Sequence, residues 1–150
     1  MPFSDVLAPD RIAVLTDAGS RDGALEAVSR LLAGSGADSA AIADGLRRRE
    51  RMGSTAIGHG VAVPHGRIAG VDHTRAAFLR LQPAIDFGAA DGMPVDLVFA
   101  MAAPEQFTQQ HLELLSRVAE RFADPGFRAA LREAPDALAL RGVMLGIEVH

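Results

Sequence analysis

The sequence predicts an α/β fold: a single layered domain with a mixed, mostly parallel β-sheet flanked by helices. The length, 150 residues, is that of one domain, since domains cluster around ~100–150 residues. Helical periodicity occupies both ends of the chain, while Gly53 to Ala103 changes to compact apolar runs between glycines and prolines. Helices around central strands imply layers. They do not alternate strictly with the strands, which argues against a pure Rossmann ladder. No linker or internal repeat divides residues 1–150.

A short strand is expected around Arg11–Leu15. Ser20 then suits a helix N-cap, followed by Leu25, Val28 and Leu32 at helical spacing. Gly34 and Gly36 stop that helix. Ser39 is expected to cap a second helix running to about Met52. In the middle region Ile57, Val61 and Val63 form short extended pieces. Ala76–Leu81 and Val95–Ala102 read as buried strands. Between them Ile85-Asp86-Phe87 suggests a short extra strand and Asp91-Gly92 a turn. Thr108 is expected to cap a helix whose apolar face is Leu112, Leu115, Ala119 and Phe122. Asp124 and Pro125 open another, with proline at a first helical position.

Composition narrows the function. Hydrophobic residues make up 49% and charged residues 23%, an ordinary globular mix. There is no cysteine, so disulfides, thiolate metal sites and a cysteine nucleophile are excluded. All 15 basic residues are arginine, which excludes a P-loop lysine, a Schiff-base lysine and a lysine base. The net charge of -4 offers little to nucleic acid. No apolar run approaches the ~18–20 residues of a membrane span, and no secretory signal is visible at the start. The expectation is a cytoplasmic location without membrane insertion.

The densest glycine stretch is Gly53-Ser54-Thr55-Ala56-Ile57-Gly58-His59-Gly60. It is spaced like a P-loop but carries His59 and Gly60 where Lys and Ser/Thr are needed, so nucleotide hydrolysis is rejected. Its backbone can cradle an anion or simply turn into a strand. In Val61-Ala62-Val63-Pro64-His65-Gly66 a histidine follows the end of a buried strand, where ligand-handling side chains collect; a lone histidine there is more often structural than catalytic. Arg49 is the one of four clustered arginines aimed inward. With Ile42 facing the core, Leu46 falls about 40° and Arg49 about 20° from it, whereas Arg47, Arg48 and Arg51 fall more than about 100° away. Such an arginine meets an anion, pairs with a structural carboxylate or snorkels. Arg47, Arg48 and Arg51 are expected on a solvated face. His111 lies in the first turn of its helix and shares a face with Leu115, Val118 and Phe122, where a neutral imidazole can donate to a phosphate-like group or satisfy the backbone. No serine-hydrolase motif occurs, and His59, His65, His73, His111 and His150 lack metal spacing.

The run from Arg49 to Arg67, Arg-Glu-Arg-Met-Gly-Ser-Thr-Ala-Ile-Gly-His-Gly-Val-Ala-Val-Pro-His-Gly-Arg, closely resembles the signature of phosphotransferase-system IIA domains of the mannitol/fructose/nitrogen-regulatory type. Pro94–Ala100 and Gln110-His111-Leu112 resemble that family too, and the likeness covers nearly the whole chain. It implies that residues 1–150 are one IIA-type phosphocarrier domain. It further implies that His65 accepts a phosphoryl group from an HPr-like protein, with Arg49 the phosphate-binding arginine and His111 the neighbouring active-site histidine. The Gly53, Ser54 and Thr55 backbone is expected to supply further donors, and Met52 and Phe107 an apolar rim for partners. No cofactor is expected. The absence of an attached IIB-like or IIC-like segment favours the nitrogen-regulatory branch, acting on a regulated protein target. A sugar-specific component passing phosphate to a IIB-like acceptor and a non-phosphorylated binding module are the alternatives. Two departures stand out: His59 where Asn is frequent, expected to put an extra imidazole near the site, and Arg67 where Lys is frequent.

Overall fold

The computed structural model describes residues 6–34, 38–106 and 108–146. Strand β1 (Leu7–Thr16) leads into helices α1 (Arg21–Ala33) and α2 (Ser39–Arg51), then the short strands β2 (Ala56–Gly58), β3 (Val61–Ala62) and β4 (His65–Arg67). The long strands β5 (Arg75–Ile85) and β6 (Val95–Ala103) follow, then helices α3 (Thr108–Phe122), α4 (Pro125–Glu133) and α5 (Ala137–Leu145). The sheet order is β1-β5-β6-β3-β2, with β4 also paired to β6. The β1–β5, β3–β6 and β4–β6 pairs are parallel; β5–β6 and β2–β3 are antiparallel. The mixed sheet expected from the sequence is present.

Both faces of the central sheet are covered, and accordingly β6 is apolar at every position but Asp96 and β5 is apolar and buried from Ala76 to Leu79. Phe78, Phe99 and Met101 pack with Phe122, Leu131 and Leu140 of α3, α4 and α5. Leu79, Val98 and Ala100 pack with Val28, Leu32, Ile42 and Leu46 of α1 and α2 on the other face. A strand alternates its side chains, so one pair of strands feeds two cores.

Ser20 caps α1, accepting from the Gly23 N–H, and Gly34 ends it in a positive-φ conformation; Gly36 lies outside the described residues. Asp124 and Pro125 open α4 as the sequence predicts. Four expectations change. The cap of α2 is Asp38, which accepts from the Ala40 and Ala41 amides, while Ser39 is the first helical residue. Ile85 ends β5, and Asp86 and Phe87 form no strand. Phe87 is instead fully buried against the α1/α2 side of the sheet. On α3, Leu112 and Ala119 are exposed, and the buried stripe is His111, Leu114, Val118 and Phe122. Arg47 is half-buried rather than solvated, bonded to Asp22 and Glu26 of α1 at 2.8 and 3.3 Å. The Asp91-Gly92 turn is present, closed by the Gly92 N–H to the Ala89 carbonyl. Helix α5, capped by Asp136, is not among the elements the sequence predicts.

Candidate active site

Helix α2 reaches the sheet closely because glycine faces glycine. A Cβ on Gly66 would stand 3.3 Å from the Gly45 carbonyl oxygen, and one on Gly45 would stand 3.0 Å from Ile68. Arg49 lies one turn beyond Gly45, and His65 immediately precedes Gly66. The close approach therefore brings the end of α2 beside the start of β4.

Pro64 interrupts the strand that β3 and β4 would otherwise form, since it has no N–H to give a ladder. Its carbonyl still accepts from the Met101 amide at 2.9 Å. The interruption turns the Val63 carbonyl away from the ladder and toward His65, whose Nδ1 lies 2.8 Å from it. A carbonyl only accepts, so Nδ1 carries the proton and Nε2 carries the lone pair. Burial holds the His65 pKa below its ordinary value; the Val63 bond opposes this, Arg49 adds to it and Glu50 opposes it. The imidazole is neutral at pH 7 and nucleophilic at Nε2.

Two adjoining depressions, about 350 and 470 Å³, share His65, Arg49 and Leu115. Ser54, Thr55 and Ile57 line the first; Arg48, Met52, Arg67, His111 and Leu112 line the second. Every ionisable residue lining the second is basic or imidazole. That setting suits an anion. The Arg49 guanidinium is braced by Nη1 donating to the Gly53 carbonyl at 2.8 Å. The His111 ring lies 5.3 Å from the His65 ring, centroid to centroid. His111 is 7% exposed, and its pKa is lowered to about 4 by burial first, then by His65 and Arg67. Its Nδ1 is buried with no hydrogen-bond partner among the described residues, so a second proton there is disfavoured and the neutral ring is retained.

The structure thus brings Arg49, His65 and His111 together, with Met52 82% exposed at the rim. Phe107 lies outside the described residues. Leu112, which the sequence reading assigned to the core, is 55% exposed on the same rim. The glycine-rich segment bonds to its own surroundings. The Gly53 amide donates to the Glu50 carbonyl at 3.2 Å, the Thr55 amide to Glu50 Oε2 at 2.9 Å, and the Ser54 hydroxyl to the Phe87 carbonyl at 2.6 Å. The Gly53 and Thr55 amides and the Ser54 hydroxyl are thus engaged within the protein.

His59 also departs from expectation. It lines neither depression and is exposed in the turn between β2 and β3. His59 and Gly60 have φ of 59° and 80°, the pattern of a two-residue hairpin turn that favours Asn-Gly; histidine tolerates that region better than most residues. The turn is pinned by the His59 amide to Asp91 and by Arg132 to the His59 carbonyl, at 2.9 and 2.6 Å.

The sequence reading missed Glu50. Its side chain is buried and accepts from both the amide and the hydroxyl of Thr55, at 2.9 and 2.6 Å. The available signal was its phase: it falls about 80° from Ile42, at the edge of the buried stripe.

A strand break thus fixes one histidine tautomer beside an arginine and a second neutral histidine, on an α/β domain with a mixed sheet. The chain belongs to the phosphoenolpyruvate-dependent sugar phosphotransferase system EIIA 2 family, whose sequence model matches residues 5–144. It is 38% identical over 148 residues to a nitrogen regulatory protein of Pseudomonas aeruginosa, covering 97% of this chain and 96% of the relative. It resembles the crystal structure of nitrogen regulatory protein IIA-Ntr from Neisseria meningitidis with a TM-score of 0.86 and 37% identity, over 95% of this chain and 98% of that one. It shares its fold with the mannitol IIA enzyme of Escherichia coli solved in complex with phosphorylated IIB, with a TM-score of 0.76 and 18% identity over 94% and 99% of the two chains. Among the described residues no helix is long and apolar enough to cross a membrane, and no group of three or more His, Cys, Asp or Glu is placed to hold a metal.

Proposed function

We propose that this chain is a phosphocarrier in which His65 Nε2 accepts a phosphoryl group from an HPr-like protein, and that its phosphorylation state regulates a protein partner. The observation that carries the reading is the hydrogen bond from His65 Nδ1 to the Val63 carbonyl. It presents one nitrogen, in one protonation state, to the depressions shared with Arg49.

The transfer balances without a cofactor. The Nε2 lone pair forms a bond to phosphorus as the P–N bond of the donor breaks. The donor's imidazole, protonated on its other nitrogen, leaves neutral with the bonding electron pair. The proton on His65 Nδ1 stays in place, and the positive charge that develops on the ring is met by the Val63 carbonyl. Arg49 supplies a fixed cation for the equatorial oxygens, and His111 a neutral donor at Nε2. Similarity to nitrogen regulatory proteins across nearly the full length supports the regulatory output. Passage of the phosphoryl group to a IIB-like acceptor is the sugar-transport counterpart of the same chemistry.

The test is incubation with a phosphorylated HPr-like donor. One acid-labile, base-stable phosphoryl group per chain is expected, and none on His65→Ala. Full labelling of that variant would reject the assignment.

A further inference from the structure

We propose that Glu50 is a positioning residue for the nucleophile, holding the His65 imidazole through Thr55 and Val63. The proposal rests on the phosphocarrier reading for its consequence in transfer, and on geometry alone for the positioning.

The connection is continuous. Glu50 Oε2 accepts from the Thr55 amide at 2.9 Å and Oε1 from the Thr55 hydroxyl at 2.6 Å. The Thr55 carbonyl accepts from the Val63 amide at 3.0 Å. The Val63 carbonyl accepts from His65 Nδ1 at 2.8 Å. Three residues on α2, the β2 approach and the break before β4 are thus locked in series, and the last bond sets the histidine's tautomer. The Thr55–Val63 link matters because neither residue lies within β2 or β3. It holds the hairpin just where the strand is broken, so the direction of the Val63 carbonyl depends on where Thr55 sits.

A buried carboxylate is costly unless its oxygens are satisfied. Both oxygens of Glu50 are bonded to Thr55, and Arg21 Nη1 stands 3.9 Å from Oε2. Arg21 also donates to the Phe87 carbonyl at 3.2 Å, the oxygen that receives the Ser54 hydroxyl. The same group of residues steadies Arg49, whose guanidinium bonds the Gly53 carbonyl while the Gly53 amide returns to Glu50's carbonyl. Glu50 therefore stands behind both groups, its side chain behind the nucleophile and its backbone carbonyl behind the brace on Arg49. Displacing reacting groups by about 1 Å can cost 10²-fold in rate, so this anchoring has a kinetic consequence.

Glutamine separates geometry from charge. Its carbonyl can accept from the Thr55 amide while its NH₂ donates to the Thr55 oxygen; alanine can do neither. The experiment compares Glu50→Ala, Glu50→Gln and Thr55→Val in the full chain. It records long-range ¹⁵N–¹H spectra of the unphosphorylated His65 ring, and then transfer rates from a phosphorylated HPr-like donor. Wild type is expected to show Nδ1–H only. Glu50→Ala is expected to show a mixture with Nε2–H and a transfer rate about 10-fold lower at saturating donor with unchanged donor KM; Glu50→Gln should restore both to within about 3-fold. If Glu50→Ala does not fold, Thr55→Val carries the test, with a smaller shift in the same direction. An unchanged His65 tautomer in a folded Glu50→Ala, or in Thr55→Val where that carries the test, overturns the proposal. A tautomer that shifts in a protein no phosphorylated donor labels would sustain the role of Glu50 and reject the phosphocarrier reading instead.

Discussion

The rings of His65 and His111 stand 5.3 Å apart, centroid to centroid, and are tilted by 51°. At that distance two imidazolium ions repel, and burial already disfavours either one. His111 accordingly has its pKa lowered to about 4, by burial first and then by His65 and Arg67. The folded protein holds His111 neutral while the unfolded chain binds a proton as pH falls through about 6.5. Stability contributed by the neutral ring is therefore present above pH 6.5 and lost as pH falls toward 4. Urea melts of wild type and His111→Gln should diverge across that window, wild type losing on the order of 1 kcal/mol more by pH 5. Parallel pH profiles would show that His111 is not held neutral by the fold.

Arg49 is expected to matter to rate more than to stability. It is half-buried at the end of α2, and its bond to the Gly53 carbonyl is a contact worth ~1 kcal/mol. Arg49→Ala should stay folded and transfer about 10²–10³-fold more slowly, the usual effect of removing a group that stabilises developing charge. Stopped-flow transfer within a few-fold of wild type would remove Arg49 from the mechanism.

Exposed apolar side chains stand on the rim of the two depressions, where the proposed function expects a carrier to dock. Met52, Leu112 and Ile57 are 82%, 55% and 44% exposed around the two depressions. Met52→Asp and Leu112→Asp should each raise the donor KM roughly 5–30-fold, equivalent to about 1–2 kcal/mol, with kcat retained. A fall in kcat at unchanged KM would place these residues in the chemistry rather than in docking.

How far the sequence carried this picture depended on the kind of interaction. Arg49 was legible because helical phase alone turns it toward the stripe of Ile42 and Leu46, both buried. His65 stood out through the resemblance of the run from Arg49 to Arg67, since a strand end broken by proline is open to a structural histidine as well. The stripe of α3 was misread because two sets of residues have helical spacing. Leu112, Leu115, Ala119 and Phe122 look more apolar than the true stripe, which begins with the polar His111. The engagement of Gly53 and Thr55 by Glu50 was invisible because it needs a contact between a helix end and the loop after it. The bond from His65 to Val63 depends on a carbonyl direction, which no residue type announces. His59, expected near the site as a departure from the family motif, instead occupies a tight turn whose demand for positive φ accounts for its position.

The most direct test of the central claim is the position of the phosphoryl group on the ring. Protein labelled with ¹⁵N-histidine and phosphorylated by an HPr-like donor would be examined for ³¹P–¹⁵N coupling. One coupling, to Nε2 of His65, with Nδ1 still carrying its proton toward Val63, is the expected result. Coupling to Nδ1 of His65, or to either nitrogen of His111, would contradict the account.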